Sequence, residues 1–224
     1  MTDSIRVIAI DGPAGSGKST VAKALAVRLG REYLDTGAMY RAVTFAVLRR
    51  GLDPDDGDAV TSLATKIDLE VTLDAVRVDG ADCTIEIRGP EVNRAVSEVS
   101  AIAGVREELK QRQRDWARRR GGGVIEGRDI GSIVFPDAEL KVYLDASPEV
   151  RAARRSKEVT DLDYETVAAD LVRRDTLDHN TTPLTRAGDA VGIDTSELTV
   201  DEIVELIVGQ LDAPSATHDG VTGE

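Results

Sequence analysis

A chain of 224 residues that is 41% hydrophobic fits one large domain, or a domain plus a small insert, with a real core. Its net charge of −13 argues against a protein that binds nucleic acid over its whole surface. A single cysteine, Cys83, excludes an intrachain disulfide and a cysteine-based zinc site, and no apolar run has the length of a signal or membrane segment, so we expect a cytoplasmic, soluble protein.

Residues 5–10, IRVIAI, are a continuous apolar run closing on Asp11-Gly12, the pattern of a buried parallel strand. Residues 18–30 carry Val21, Leu25 and Leu29 at helical spacing, with Gly30 as the C-cap. A second helix is expected over 37–50, then a polar turn over 52–58. From 67 the period changes to two: Ile67, Leu69, Val71 and Leu73 alternate with polar residues. VRV and CTIEIR continue the alternation around an Asp79-Gly80 turn. This predicts an antiparallel meander with one wet face, a small subdomain inserted over 64–90.

Helices return over 91 to about 120, with Trp116 as a packing residue and the RRR of 118–120 as solvated charge near a helix end. GVIEGRDIG and ELKVYLDAS supply two more buried strands, and GIDTS with TVDEIVELIVGQL a last strand and helix. Residues 212–224 are polar and aperiodic, a disordered tail. The fold class is α/β: an open parallel sheet flanked by helices over 1–63 and 91–211. Its ligands are expected beyond the C-terminal strand ends.

DGPAGSGKST, residues 11–20, stands between the first strand and the first helix. Gly12-x4-Gly17-Lys18-Ser19 satisfies the phosphate-loop template. Its glycines let the loop of Gly12, Pro13, Ala14, Gly15, Ser16 and Gly17 curl around ATP phosphates with its N–H groups pointing inward. The helix dipole adds to this, Lys18 reaches the β and γ phosphates, Ser19 is placed for Mg²⁺, and Thr20 follows. The loop implies a nucleoside triphosphate and leaves two classes open, a kinase or a nucleotide switch. A guanine switch usually carries Asn-Lys-x-Asp, and neither Asn93 nor Asn180 precedes a lysine. A kinase with a phosphorylated acceptor needs a second cationic cluster, and this sequence has one at or just past its strand ends. It comprises Thr36, Tyr40 and Arg41; Arg128 and Asp129; Arg151, Arg154 and Arg155; and Arg173 and Arg174. Asp35 either holds metal-bound water or caps the next helix.

IDGPAGSGKST, LDTGAMYR, EGRDIGSIVFPDA, KVYLDAS, RAARR and RRDTLD occur in the order in which they occur in bacterial cytidylate kinases. The chain resembles that family over about 5–210. The resemblance implies a P-loop nucleoside monophosphate kinase that transfers phosphate from Mg²⁺-bound ATP to CMP or dCMP, as a monomer without nucleic-acid or membrane partners. The alternatives are a related phosphate-loop kinase with another small acceptor, such as UMP or a small metabolite, and, less favoured, a nucleotide switch module. Carried over by position, cytosine would meet Ser97, Arg106 and Asp129. The ribose would meet Arg174 and Asp178, and the acceptor phosphate Tyr40, Arg41 and Arg128. The segment from Arg151 to about 165 resembles the lid, with Arg151, Arg154 and Arg155 bridging phosphates. An ionised Asp129 accepts from the cytosine amino group and meets a carbonyl oxygen in uracil, a contact able to discriminate by roughly 10⁴-fold. In one place the sequence departs from the family: after RRDTLD the segment is about two residues short. The arginine expected before Pro183-Leu184 is missing, and Arg186 lies beyond that pair.

Overall fold

The computed structural model describes residues 5–158, 164–181 and 186–212. The expected tail from 213 onward, residues 159–163 of the expected lid and residues 182–185 of the shortened segment lie outside the described residues.

Among the described residues, β1 (Arg6–Asp11), β2 (Tyr33–Asp35), β6 (Gly122–Gly127), β7 (Leu140–Asp145) and β8 (Val191–Asp194) form a parallel sheet in the order β2-β6-β1-β7-β8. The apolar run of β1 occupies its centre because both faces are covered. Val7 and Ala9 belong to one buried cluster, Ile8 and Ile10 to the other. Helices α1 (Lys18–Leu29) and α8 (Val200–Asp212) cover the second face, through Val21, Leu25, Ile203 and Ile207. Helices α2 (Thr36–Arg49), α3 (Gly57–Lys66) and α5 (Ala103–Arg120) supply the first. Trp116 is buried in that first cluster, as expected of a packing residue.

The parallel register aligns the strand ends. Asp11 lies opposite Gly127 and Tyr143, Asp35 opposite Glu126, and Asp145 opposite Asp194. The turns that follow β1, β2, β6 and β7 therefore open on one edge of the sheet, where the motifs fall.

A second, three-stranded antiparallel sheet holds β3 (Leu69–Val71), β4 (Val76–Val78) and β5 (Ala81–Asp82). Val71, Val76 and Val78 join the first buried cluster. Two local expectations are corrected. Helix α3 was not foreseen: Asp56 caps it by accepting from Ala59 N at 3.0 Å, and Val60, Leu63 and Ala64 bury one face. CTIEIR is not a strand: β5 ends at Asp82. The Thr84 hydroxyl accepts from Val76 N at 2.9 Å, where a strand would offer a carbonyl. The Ile87 N–H then bonds back to the Cys83 carbonyl and curls the chain, leaving Ile85 83% exposed and Ile87 buried. The helical stretch after 90 breaks at Ile102, whose extended backbone separates α4 (Pro90–Ala101) from α5.

Helix α6 (Pro148–Glu158) follows β7 and packs against α7 (Tyr164–Thr181), which also touches α4. No described helix is long and apolar enough to cross a membrane.

Candidate active site

The loop between β1 and α1 is built on glycines that admit no substitute. Gly12 has φ +150°, and a Cβ there would lie 2.0 Å from the Leu144 carbonyl oxygen; at Gly15 it would lie 2.8 Å from the Arg151 carbonyl oxygen. Helix α6 thus leans directly on the loop. Three cations also grip loop carbonyls in succession. Arg128 donates to Gly12 O at 3.1 Å, Lys18 to Pro13 O at 2.7 Å and Arg151 to Ala14 O at 3.2 Å. Arg154 donates to Thr195 Oγ1 and O at 2.9 and 2.7 Å, and the Thr195 hydroxyl donates to Ser16 O at 2.9 Å. A recess beside them is lined by Gly15, Gly17, Thr20, Arg154 and Lys157. Thr195 was missed in the sequence, where a hydroxyl in GIDTS carries no signal of its own.

On the other side of Lys18 a second cleft opens. Its walls include Lys18, Ser19, Asp35, Thr36, Tyr40 and Arg41 from the first two strand–helix junctions. Ser97 and Arg106 come from α4 and α5, and Arg128 and Asp129 from the turn after β6. Residues spread over more than a hundred positions are brought together here as the sequence led us to expect. Arg106 donates to Asp129 at 2.8 Å. Tyr40 is a neutral hydroxyl, its pKa pushed up to about 12 by burial, with Asp129 adding to the shift and Arg106 opposing it. Arg41 lies in the wall and also bonds Ile87 O and Asn93 Oδ1 at 3.0 and 2.7 Å, tying α2 to the start of α4.

Asp35 does cap α2, accepting from Ala38 N at 2.9 Å through one oxygen, while the other faces Arg88 at 3.4 Å. Arg155 lies on α6 outside the linings of both recesses. Arg174 and Asp178 fall on α7, but their side chains are outside the described residues. Arg186 is spent beside β8, donating to Ala190 O at 2.9 Å.

Two charged wall residues escaped the sequence reading. Glu126, the last residue but one of β6, is buried and accepts from the Ser19 hydroxyl at 3.0 Å and from the Tyr33 hydroxyl. A lone acid ending a strand reads as a turn residue; only the β6–β1 pairing sets it beside the loop. Burial drives its carboxyl well above the usual carboxylate range, with Asp35 adding to the shift. Burial likewise drives the Lys18 ammonium down, helped by Arg128, while Glu126, Asp11 and Asp35 oppose the shift. The second is Arg88, which enters the cleft from the turn that the alternation mistook for a strand.

Ser19, Glu126 and Asp35 line the cleft as hard oxygen donors, the chemistry magnesium prefers. Among the described residues no group of three His, Cys, Asp or Glu side chains stands ready to hold a metal unaided. That suits an ion held by one or two carboxylates together with phosphates and water.

A family model described as cytidylate kinase matches residues 8–213. A cytidylate kinase of Mycobacterium avium is 49% identical over 210 residues, covering 89% of this chain and 92% of that protein. One from Corynebacterium efficiens is 48% identical over 226 residues, covering 96% and 98%. Among solved structures, an uncharacterized protein from Eubacterium ventriosum superposes with a TM-score of 0.54 at 15% identity, covering 93% of this chain and 99% of that one, a likeness of fold alone. The chain belongs to the cytidylate kinase family.

Proposed function

We propose that this protein transfers the γ-phosphoryl group of ATP to CMP and dCMP, giving ADP and CDP or dCDP. The observation that carries the reading is the Arg106–Asp129 pair, held at 2.8 Å in the wall of a cleft that Lys18 and Arg128 share with the phosphate loop. A carboxylate and a guanidinium side by side match the donor and acceptor edges of cytosine. Uracil would set a carbonyl oxygen against the carboxylate. Ser97 lies in the same wall and completes the base contacts.

The acceptor phosphate is read by Tyr40, Arg41 and Arg128. Arg88, which lines the same cleft, joins them and supplies a charge where the shortened segment lacks an arginine. Arg174 and Asp178 hold the ribose. The donor triphosphate lies along the loop from Gly12 to Thr20, with Arg154 beside it. A phosphate oxygen of CMP attacks the γ phosphorus, and the bond to the β–γ bridging oxygen breaks, so no strong general base is needed. Lys18, Arg128, Arg151 and Arg155 neutralise the charge that spreads over the moving group. Ser19, Glu126 and Asp35 would hold Mg²⁺, which would neutralise phosphate charge when bound. The close seat of α6 on Gly15 suits a segment that excludes water from the donor phosphates.

A coupled assay tests this with Mg-ATP against CMP, dCMP, UMP, AMP and GMP, plus a blank without acceptor. ADP release with CMP and dCMP, little with the others and almost none in the blank is the expected result. Equal turnover of UMP and CMP would remove the base-reading pair, and release in the blank alone would remove the acceptor site.

A further inference from the structure

Asp11 is the buried acid that the chemistry above does not use. It ends β1, immediately before the phosphate loop, and is 8% exposed. Its carboxylate is aimed away from that loop. One oxygen accepts from Ile130 N and the other from Gly131 N, each at 2.8 Å. These N–H groups open the wide helical turn Ile130–Val134, whose first residues have no carbonyl partner inside the turn. Asp129 stands at the N-cap position of that turn. An aspartate there ordinarily turns its carboxylate inward onto the second or third N–H of the turn, and Gly131 N is the second. Here the Asp129 side chain makes no capping bond. It reaches instead to Arg106 in the cleft wall.

We infer that Asp11 positions the base-reading Asp129: by capping the 130–134 turn from the neighbouring strand, it frees the Asp129 carboxylate to face the acceptor base. The inference rests on the base-reading role proposed above. With Asp11 in place, the Ile130 and Gly131 N–H groups are satisfied and neither draws Asp129 inward. With Gly131 N orphaned, Asp129 holds the N-cap position from which a side chain accepts that bond, and its withdrawal would empty the base-reading position. The backbone of the donor loop is insulated from this exchange; the Asp11 charge also supports the Lys18 ammonium, and a loss there falls equally on every acceptor and leaves the CMP-over-UMP ratio alone. The Asp11 backbone is fixed by ladder pairing to both β6 and β7, so the start of the phosphate loop does not depend on its side chain. Burial pushes the Asp11 carboxyl up to about 6, with Asp129 adding to the shift and Lys18 and the two N–H groups opposing it. It is still mostly ionised, an acceptor through both oxygens, at pH 7.5.

Asp11→Asn is the test. The amide keeps one acceptor and sets an N–H donor against the other backbone N–H. Steady-state kinetics with CMP and UMP give the preference ratio, the KM for ATP gives the donor side, and thermal melting gives the fold. We expect the CMP-over-UMP ratio to fall about tenfold, mainly through the KM for CMP. The KM for ATP should stay within about twofold, and the melting point should lie no more than about 3 °C below the parent. Asp129→Asn should collapse the ratio further, and the double variant should match Asp129→Asn alone, because Asp11 acts only through Asp129. An unchanged ratio in Asp11→Asn, equal losses for CMP and UMP, or additive losses in the double variant would overturn the inference while Asp129→Asn still collapses the ratio. An unchanged ratio in Asp129→Asn would overturn the base-reading role itself. Where Asp11→Asn does not fold, Asp11→Ser, smaller and still able to accept from one N–H, is put through the same measurements.

Discussion

The donor and acceptor sides of this site are built on opposite plans. The donor side is one contiguous loop, Gly12–Thr20, whose recognition elements are backbone N–H groups and the end of α1. The acceptor side is an assembly of side chains from separate segments, meeting only because the parallel register brings their strand ends to one edge. A loop that binds through its backbone recognises any triphosphate. A wall of side chains recognises one base. Breaking the first should stop the chemistry for every acceptor, whereas breaking the second should change which acceptor is used.

The largest expected effect lies where the two plans meet. Lys18→Ala removes the cation that the proposed mechanism sets between both substrates, and kcat should fall at least about 10²–10³-fold with every acceptor. The melting point should hold, since a buried ammonium held below its usual pKa contributes little to stability. A variant retaining more than a tenth of parental kcat would mean that the arginines carry the transition-state charge without it.

Next in size is Glu126→Gln. Glu126 belongs to the acceptor cleft by position but bonds the Ser19 hydroxyl of the donor loop. The magnesium concentration for half-maximal activity should rise about tenfold or more, with the CMP preference intact. An unchanged magnesium requirement would leave Glu126 as a structural acceptor for Ser19 and Tyr33. The Arg88 effect is smaller. Its side chain is 57% exposed, so solvent screens much of its charge, and Arg88→Ala should raise the KM for CMP about fivefold, near 1 kcal/mol. The KM for ATP should not move; equal rises for both substrates would place Arg88 outside the acceptor side.

The same contrast explains what could be read from the sequence. The phosphate loop was legible because its function sits in consecutive residues, and the strands because an apolar run covered on both faces leaves an unbroken pattern. The acceptor residues came from strand-end position and resemblance together, and Glu126 and Arg88 were lost. Glu126 is an acid like its neighbours until β6 pairs with β1. Arg88 sat in a segment whose alternation imitated a strand, and the decisive bond is a threonine hydroxyl, that of Thr84, filling a ladder position. Helix α3 was hidden by the polar turn before it, although Asp56 followed by Val60, Leu63 and Ala64 is a cap and a buried face at helical spacing.

The smallest effect separates positioning from stability at the seam between the two sides. The Asp11 carboxyl has a folded-state pKa of about 6, above its ordinary 3.8. Below the ordinary value the group is protonated whether the chain is folded or not, and it contributes nothing to the pH dependence. Between the two values the folded protein holds the extra proton. Stability from this group therefore falls as pH rises through that window and stays lower above it, by about 3 kcal/mol. Asn cannot ionise and escapes that loss, but it forfeits one backbone hydrogen bond, about 1 kcal/mol. Relative to the parent, Asp11→Asn should thus be most stable at pH 7.5, level with it or a few degrees higher, and should lose that advantage on acidification toward pH 4.5. Melting curves of both proteins across this range decide the matter. A parent several degrees more stable at pH 7.5, with a gap that ignores pH, would make the carboxylate a clamp for the fold. A gap that closes on acidification, beside a reduced CMP preference, would mean that the chain keeps a costly buried charge for the sake of where Asp129 points.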